Sequence, residues 1–296
     1  MQVESPGIAA FMMSPTRPLA RPLQSPTVRI RAHGGWSPPD LIGIVQHREL
    51  LLSLTDRDVR VRYKQTALGV AWVVLQPLLT ALIFAFVFGV VAGLATNDRP
   101  YLLFAFAGLM AWNTFATTIN RVGYSLVGNA HMISKIYFPR LILPLSSVCS
   151  TLVDFGVSLA LMLLMLVHYR VWPGWGVLLL PVWLTILLMM GLGIGLVAAS
   201  LMVKYRDVGH LIPVALQLGM YISPVAWSTS FVPEKYQWVY QVNPFFGLLG
   251  AFRWSLLGET VPSSFALAYS GLFALVCMVV GLLVFQVQER DFADVI

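Results

Sequence analysis

The side chains able to do chemistry are few and scattered in this chain. Asp56 and Asp58 come nearest to a motif, because an Asp-Arg-Asp run resembles the acidic pair of metal-dependent sugar transferases. On a helix, residues two apart point about 200° from each other, so these carboxylates diverge and cannot close on one ion. Each acid has an arginine four residues on, Asp56–Arg60 and Asp58–Arg62, in the acid-first order that supports a helix. The five histidines (33, 47, 131, 168 and 210) fall in separate segments. Cys149 and Cys277 lie in apolar runs with no second Cys or His at ligand spacing, so they read as small apolar fillers. There is no H-E-x-x-H, no G-x-S-x-G and no Gly-Lys pair, hence no Walker A loop. The sequence offers no catalytic residue, no metal site and no way of its own to hold ATP, and nothing in it points to nucleic acid.

One acid, Asp154, lies inside a long apolar run. A charged acid at the bilayer centre costs about 2.5–3.5 kcal/mol. It must therefore face the bundle or a wet cavity, or be protonated. A proton relay would need a second acid or a His in neighbouring spans, and none is present. The expected partner is a Ser or Thr hydroxyl.

The surrounding elements follow from composition. Of 296 residues, 58% are hydrophobic and 11% charged, against about 25% charged in a soluble domain. A spanning helix takes roughly 20 apolar residues, and six runs qualify: about 71–94, 101–120, 141–167, 177–202, 209–229 and 264–287. They are continuously apolar rather than alternating, which argues against a barrel. The expected fold is an all-α membrane protein of six transmembrane helices.

Lysine and arginine set the orientation. Residues 1–66 carry nine, the 121–140 loop Arg121, Lys135 and Arg140, the 203–208 loop Lys204 and Arg206, and the tail Arg290. The alternate loops hold Arg99, Arg170, Lys235 and Arg253. By the positive-inside rule both termini are cytoplasmic.

Residues 1–40, with seven prolines and four arginines, read as a disordered cytoplasmic arm. Residues 41–66 form an amphipathic helix expected to lie flat in the headgroup plane, with Gly69 as the bend into the first span. Arg60, Arg62 and Lys64 at its end admit two readings: contacts to an anionic lipid headgroup at the substrate entrance, or plain positive-inside anchoring. Residues 129–138 predict a short cytoplasmic helix. Asn129 is its cap, Met132, Ile133, Ile136 and Tyr137 its apolar face, and Pro139 its end. Residues 233–258 predict two helices too short to span, opened by Pro233 and by Asn243-Pro244. They read as re-entrant helices on the outer side, a candidate outer gate before the last span. Trp72, Phe84, Phe88, Tyr221 and Trp227, in the first and fifth spans, are candidates for a sugar-facing conduit. For any single one of them the interfacial aromatic belt is the stronger reading. The small-residue runs Gly89–Gly93 and Gly191–Gly193–Gly195 permit close helix approach.

Seven segments carry a family resemblance: RDVRVRYKQTALGVAWVVLQPLL, GLMAWNTF, ISKIYFPRLILPLSSV, KYRDVGHLIPVALQ, YISPVAW, VNPFFGLLGAFR and ERDFADVI. In this order and spacing, from about residue 45 onward, the chain resembles the membrane subunit of type 2 ABC exporters, in the branch that moves O-antigen, capsular polysaccharide and teichoic acid. The resemblance implies that 41–66 is an interface helix and that 129–138 is a coupling helix seated on a partner ATPase through Asn129, Met132, Ile133, Lys135, Ile136, Tyr137 and Arg140. It also implies two copies of this chain with two ATPase copies, and ATP and Mg held in that partner rather than here. A lipid-linked glycan, most simply O-antigen, would be the cargo, in the bacterial inner membrane among its lipids. A drug or small-lipid exporter, a membrane glycosyl or acyl transferase and a non-transporting scaffold are the competing readings. The transferase reading lacks any convergent acid, His or Ser set.

Overall fold

The computed structural model describes residues 41–64, 71–91, 93, 99–133, 135, 138–225, 235 and 241–289. The arm 1–40, the bend at Gly69, Trp227, Ile136, Tyr137 and all of the first gate helix but Lys235 lie outside the described residues. Among the described residues the chain is helical, with no strand.

Helix α1 (Leu41–Gln46) and α2 (Arg48–Lys64) precede the first long apolar helix, α3 (Ala71–Phe84), which continues as a wider π-helical turn over Ala85–Val91. Then follow α4 (Tyr101–Tyr124), the single turn α5 (Ala130–Ile133), α6 (Ile142–His168), α7 (Leu180–Lys204) and α8 (Val208–Ile222). The chain closes with α9 (Pro244–Leu257) and α10 (Ser264–Gln288). The ends follow local chemistry. Pro100 leads into α4 in an extended conformation that suits the residue before a helix. Asn243 caps α9 by accepting from the Phe245 amide at 2.9 Å, with Pro244 in the first turn, as the sequence predicts. Gly258, at φ +69°, ends α9 in the left-handed conformation that favours glycine.

Five stretches are long and apolar enough to cross a bilayer: Val74–Val91, Tyr101–Tyr124, Ile142–His168, Trp175–Lys204 and Ser264–Gln288. Of the sixth expected span, 209–229, the described residues hold a shorter helix, and 226–229 lie outside them. Val208–Ile222 has 15 residues, about 22 Å at 1.5 Å each, against a hydrocarbon core of about 30 Å. The cause is Ser223-Pro224. A residue before proline is pushed out of the helical region, and Ser223 is extended at ψ 148°.

Helix α4 is the axis of the bundle. Of its apolar window 78% is buried, against 11–33% for the other four. Phe104, Phe106, Leu109 and Met110 of α4 meet Leu187 and Met190 of α7 and Leu248, Phe252 and Leu256 of α9 in the main core. A second cluster joins Leu54 of α2, Val122 of α4, Phe138, Ile142 and Leu143 at the head of α6, Leu196 and Ala199 of α7, and Phe285 of α10. The remaining helices keep broad apolar faces outward, with Ile83, Phe86, Leu164, Leu218 and Leu272 all more than half exposed. Such faces suit lipid or a second membrane subunit.

The amphipathic helix does not simply lie flat. α2 runs along α6 in the same direction. Thr55 reaches the Ser146 carbonyl at 3.5 Å, and Arg62, seven residues on, reaches Asp154. Asp154 is twelve residues into α6, roughly 18 Å along its axis. Its carboxylate therefore draws the last turn of α2 toward the interior of the bundle.

Candidate functional site

Where α2, α3, α4 and α6 meet, they line a half-open cavity of about 290 Å³. Its polar lining comes from helical periodicity. α4 supplies Asn113, Thr114, Thr117 and Arg121, and α6 supplies Thr151, Asp154 and Ser158, each set on one helix face. α3 adds Trp72 and Gln76, one turn apart, and α2 adds Arg62. The centre is ionic. Asp154 Oδ2 accepts from Arg62 Nη1 at 2.6 Å and from Arg121 Nη2 in a direct contact. Arg121 Nη1 also donates to Ser150 Oγ at 3.3 Å and Thr151 Oγ1 at 3.2 Å.

This corrects the reading of Asp154. Two guanidinium groups bond its carboxylate, and the Ser150 and Thr151 hydroxyls accept from Arg121. The Asp154 side chain is 14% exposed. A pair at that depth is unlike a surface pair worth about 0–1 kcal/mol, because removing one partner strands a poorly solvated charge. Arg121, counted by sequence as a cytoplasmic loop residue, lies inside α4, which runs on to Tyr124.

The sequence-predicted residues divide. Arg62 and Trp72 converge on the cavity. Arg60 turns outward, 61% exposed, and bonds Asp56 at 2.6 Å, the expected i,i+4 pair. Lys64 is exposed. The other expected pair, Asp58–Arg62, is replaced: Asp58 takes Arg57, at 2.8 Å, which leaves Arg62 to reach inward. Phe84 and Phe88 stack edge to face at 5.7 Å, away from the cavity lining. Tyr221 stands 63% exposed on α8. Among the described ones, Trp72 alone lines this cavity.

Of the expected helix 129–138, residues 134, 136 and 137 lie outside the described residues. A turn at Val127–Asn129 leads into one helical turn, Ala130–Ile133. Asn129 does not act as a free-standing cap. Its Nδ2 donates to the Ser125 carbonyl at 2.8 Å and its Oδ1 accepts from Arg57 Nη2 at 2.8 Å, which ties the loop to α2. Met132 and Ile133 pack against the second cluster, so their side chains are partly spent on this chain's own core. Lys135 is exposed, and Arg140 stands half-buried where the loop enters α6.

Arg140 has a neighbour that sequence reading did not single out. Glu289, just past α10, is pushed above the usual carboxylate range by burial. The Arg140 charge and its backbone N–H pull the other way. A carboxylate whose folded value is raised disfavours the folded state as pH climbs through its ordinary range and beyond. Glu289→Gln, which keeps an acceptor for the Arg140 amide, is expected to raise the melting temperature at pH 7.5 and leave it unchanged at pH 4. Melting curves of the purified variant at the two pH values check this.

Arg253 is the other residue that sequence reading missed. It is 4% exposed in α9, and its Nη2 donates to the carbonyls of Pro224 at 2.9 Å and Val225 at 2.7 Å. Its guanidinium lies 3.6 Å from the centroid of the Phe104 ring. The signal was available: it is the one cation in the apolar run PFFGLLGAFRWSLL. It was counted only as a residue of an outer loop.

The comparisons fit this architecture. The O-antigen export system permease protein RfbA of Klebsiella pneumoniae is 28% identical over 254 residues, covering 84% of this chain and 95% of that protein. Its counterpart in Myxococcus xanthus is 28% identical over 253 residues, 85% and 96% of the two chains. The polysialic acid transport protein KpsM of Escherichia coli is 23% identical over 240 residues, 79% and 91%. The ABC-2 type transporter family matches residues 49–257, from the start of α2 to the last residue of α9. With five helices long enough to span and a family match over most of its length, this chain belongs to the ABC-2 type transporters, as a multi-pass membrane permease subunit and not an enzyme.

Proposed function

We propose that this chain is the membrane half of an ATP-driven exporter that moves a lipid-linked polysaccharide, O-antigen in the first instance, across the bacterial inner membrane. Capsular polysaccharide or teichoic acid is the alternative cargo. The observation that carries the reading is the match to O-antigen export permeases along more than nine-tenths of their length. The likeness to KpsM keeps a capsule-type polymer in view.

In this reading two copies pair through their exposed apolar faces. Two copies of an ABC ATPase, which hold the ATP and Mg, dock on the cytoplasmic side where both termini lie. ATP closure is passed on through the 129–140 segment. Two contacts support the route: Arg57 bonds Asn129, tying the loop to α2, and Arg62 bonds Asp154, tying α2 to α6. A push on the loop is thereby transmitted into the spans as a rigid-body shift. Arg60, Arg62 and Lys64 are the proposed headgroup contacts. Arg62 alone of the three reaches the cavity.

Reconstitution with the companion ATPase tests the proposal. Vesicles holding both subunits are expected to translocate lipid-linked polysaccharide only with ATP. Exposed Lys135→Glu in the coupling loop is expected to cut ATP-dependent translocation at least tenfold with membrane insertion intact. Full translocation by this chain without an ATPase would refute the proposal.

A further inference from the structure

The cavity beneath α3 has a charge pattern that bundle stability does not call for. Two guanidinium groups, Arg62 and Arg121, converge on a single carboxylate oxygen, Asp154 Oδ2. The charged groups that line the space sum to one excess positive charge. A hydroxyl would satisfy a lone acid, and one arginine would neutralise it. Two arginines around one oxygen form instead a cradle for an anion with several oxygens, since each guanidinium prefers an oxygen pair of its own. The other lining groups suit that occupant. Gln76, Asn113 and Thr117 bring neutral donors to the same space. The volume of about 290 Å³ far exceeds the roughly 10–15 Å³ that one water needs. Trp72, 50% exposed, offers an apolar flank beside the polar one.

We infer that this cavity is a phosphate or diphosphate site inside the bundle, where Arg62 and Arg121 grip the anion and Asp154 is the built-in competitor that holds them when the site is empty. Asp154 then sets both affinity and release. An incoming diphosphate takes the two guanidinium groups from the carboxylate, and the carboxylate reclaims them when the anion leaves. Arg62 stands at the end of α2, the helix tied to the coupling loop through Arg57 and Asn129. Occupancy of the site is thereby registered at the cytoplasmic face.

The identity of the molecule that carries the phosphate rests on the export reading above. The site itself does not. The test uses the full chain with its ATPase in nanodiscs of zwitterionic lipid. The probes are farnesyl diphosphate, farnesol, inorganic diphosphate and phosphatidylglycerol. Farnesyl diphosphate is expected to bind and to raise the melting temperature, while farnesol does neither. R62Q and R121Q are each expected to weaken binding at least tenfold, and D154N to tighten it about tenfold. That gain is the signature that a purely structural acid would not give. Inorganic diphosphate binding with the same variant pattern supports the site with a free anion as occupant. Phosphatidylglycerol doing so supports it with any lipid phosphate. Equal affinity in wild type, R62Q and R121Q overturns the inference, as does weaker binding in a folded D154N. Should D154N fail to accumulate, R121K keeps the charge but loses the fork. It is expected to bind tenfold more weakly, and unchanged affinity there overturns the inference too. A chain that binds no probe yet exports with its ATPase loses only this site. Diphosphate binding by a chain that moves no polysaccharide sinks only the export reading.

Discussion

Arg253→Met is expected to lower the melting temperature of the purified protein by roughly 10 °C, the largest drop from any single side-chain replacement at the outer end of the bundle. The substitution keeps length and apolar bulk but removes the donor. The Pro224 and Val225 carbonyls are then left buried without their bond, at about 1–3 kcal/mol each. The cation over the Phe104 ring, worth about 0.5–2 kcal/mol, is lost as well. The low half of that sum, about 3–4 kcal/mol once the helices relax around the smaller group, gives the stated shift at 2–4 °C per kcal/mol for a chain somewhat smaller than this one. Burial also pushes the Glu259 carboxyl up, with Arg253 and Arg99 opposing it. Losing Arg253 removes one of those two restraints. An independent substitution checks the same clamp without touching the charge. A Cβ on Gly108 would sit 2.4 Å from the Val225 carbonyl oxygen and 2.8 Å from Arg253 Nη2, so Gly108→Ala must push the two apart. Tryptophan-fluorescence melts of both variants decide it: a wild-type transition in Arg253→Met means that the carbonyls have found other donors and the clamp is unimportant.

The difference between Arg253 and Asp154 shows what the sequence could and could not reveal. Spans were legible because length and unbroken apolarity suffice to define them, and α4, α6, α7 and α10 end within a few residues of expectation. The start of α9 was legible because Asn243-Pro244 is a local signal, read without knowing any neighbour. At α8 the summed apolarity over 209–229 passed across Ser223-Pro224, where backbone sterics stop the helix whatever the hydropathy. The cavity was half legible. Arg62 and Trp72 were picked out by position, but Asp154 was matched to the wrong partners. Its arginines lie 33 and 92 residues away, and helix rotation, which brings the three together, is set by packing of α4 and α6 rather than by any local pattern. Arg121 was hidden by the same arithmetic that gave the topology, since a count of loop cations assigns to the loop any cation near a helix end. The predicted apolar face of the coupling segment included Met132 and Ile133, which the second cluster takes up.

The small residues of α7 carry the other large effect. The run Gly191–Gly193–Gly195 signalled close approach without naming the partner. The structure names two: Gly191 and Gly195 face Thr118 and Val122 of α4, and Gly193 faces α10, where the two backbones touch. A Cβ at Gly193 would stand 2.3 Å from the Cys277 carbonyl carbon and oxygen and 2.6 Å from the Met278 amide, while one at Gly281 would stand 2.3 Å from the Gly193 carbonyl oxygen. These obstacles are backbone atoms, so no rotamer change relieves them, and the helices must separate along the whole seam. In a bilayer, where lipid tails compete equally for apolar contact, such close packing is what holds two helices together. Overpacking typically costs about 1–3 kcal/mol when side chains can yield. Here they cannot, so Gly193→Val is expected to exceed that range and to leave little folded protein in detergent. Gly193→Ala is expected to fold with a melting temperature lowered by roughly 10 °C or more. Gly271→Ala, at a position on the same α10 with nothing within 4 Å of the added carbon, is the control and should melt as wild type. Folded yield by size-exclusion chromatography and the three melting curves discriminate. If Gly193→Ala melts with Gly271→Ala, α7 and α10 are not held by backbone contact, and the seam that anchors the last span to the bundle must lie elsewhere.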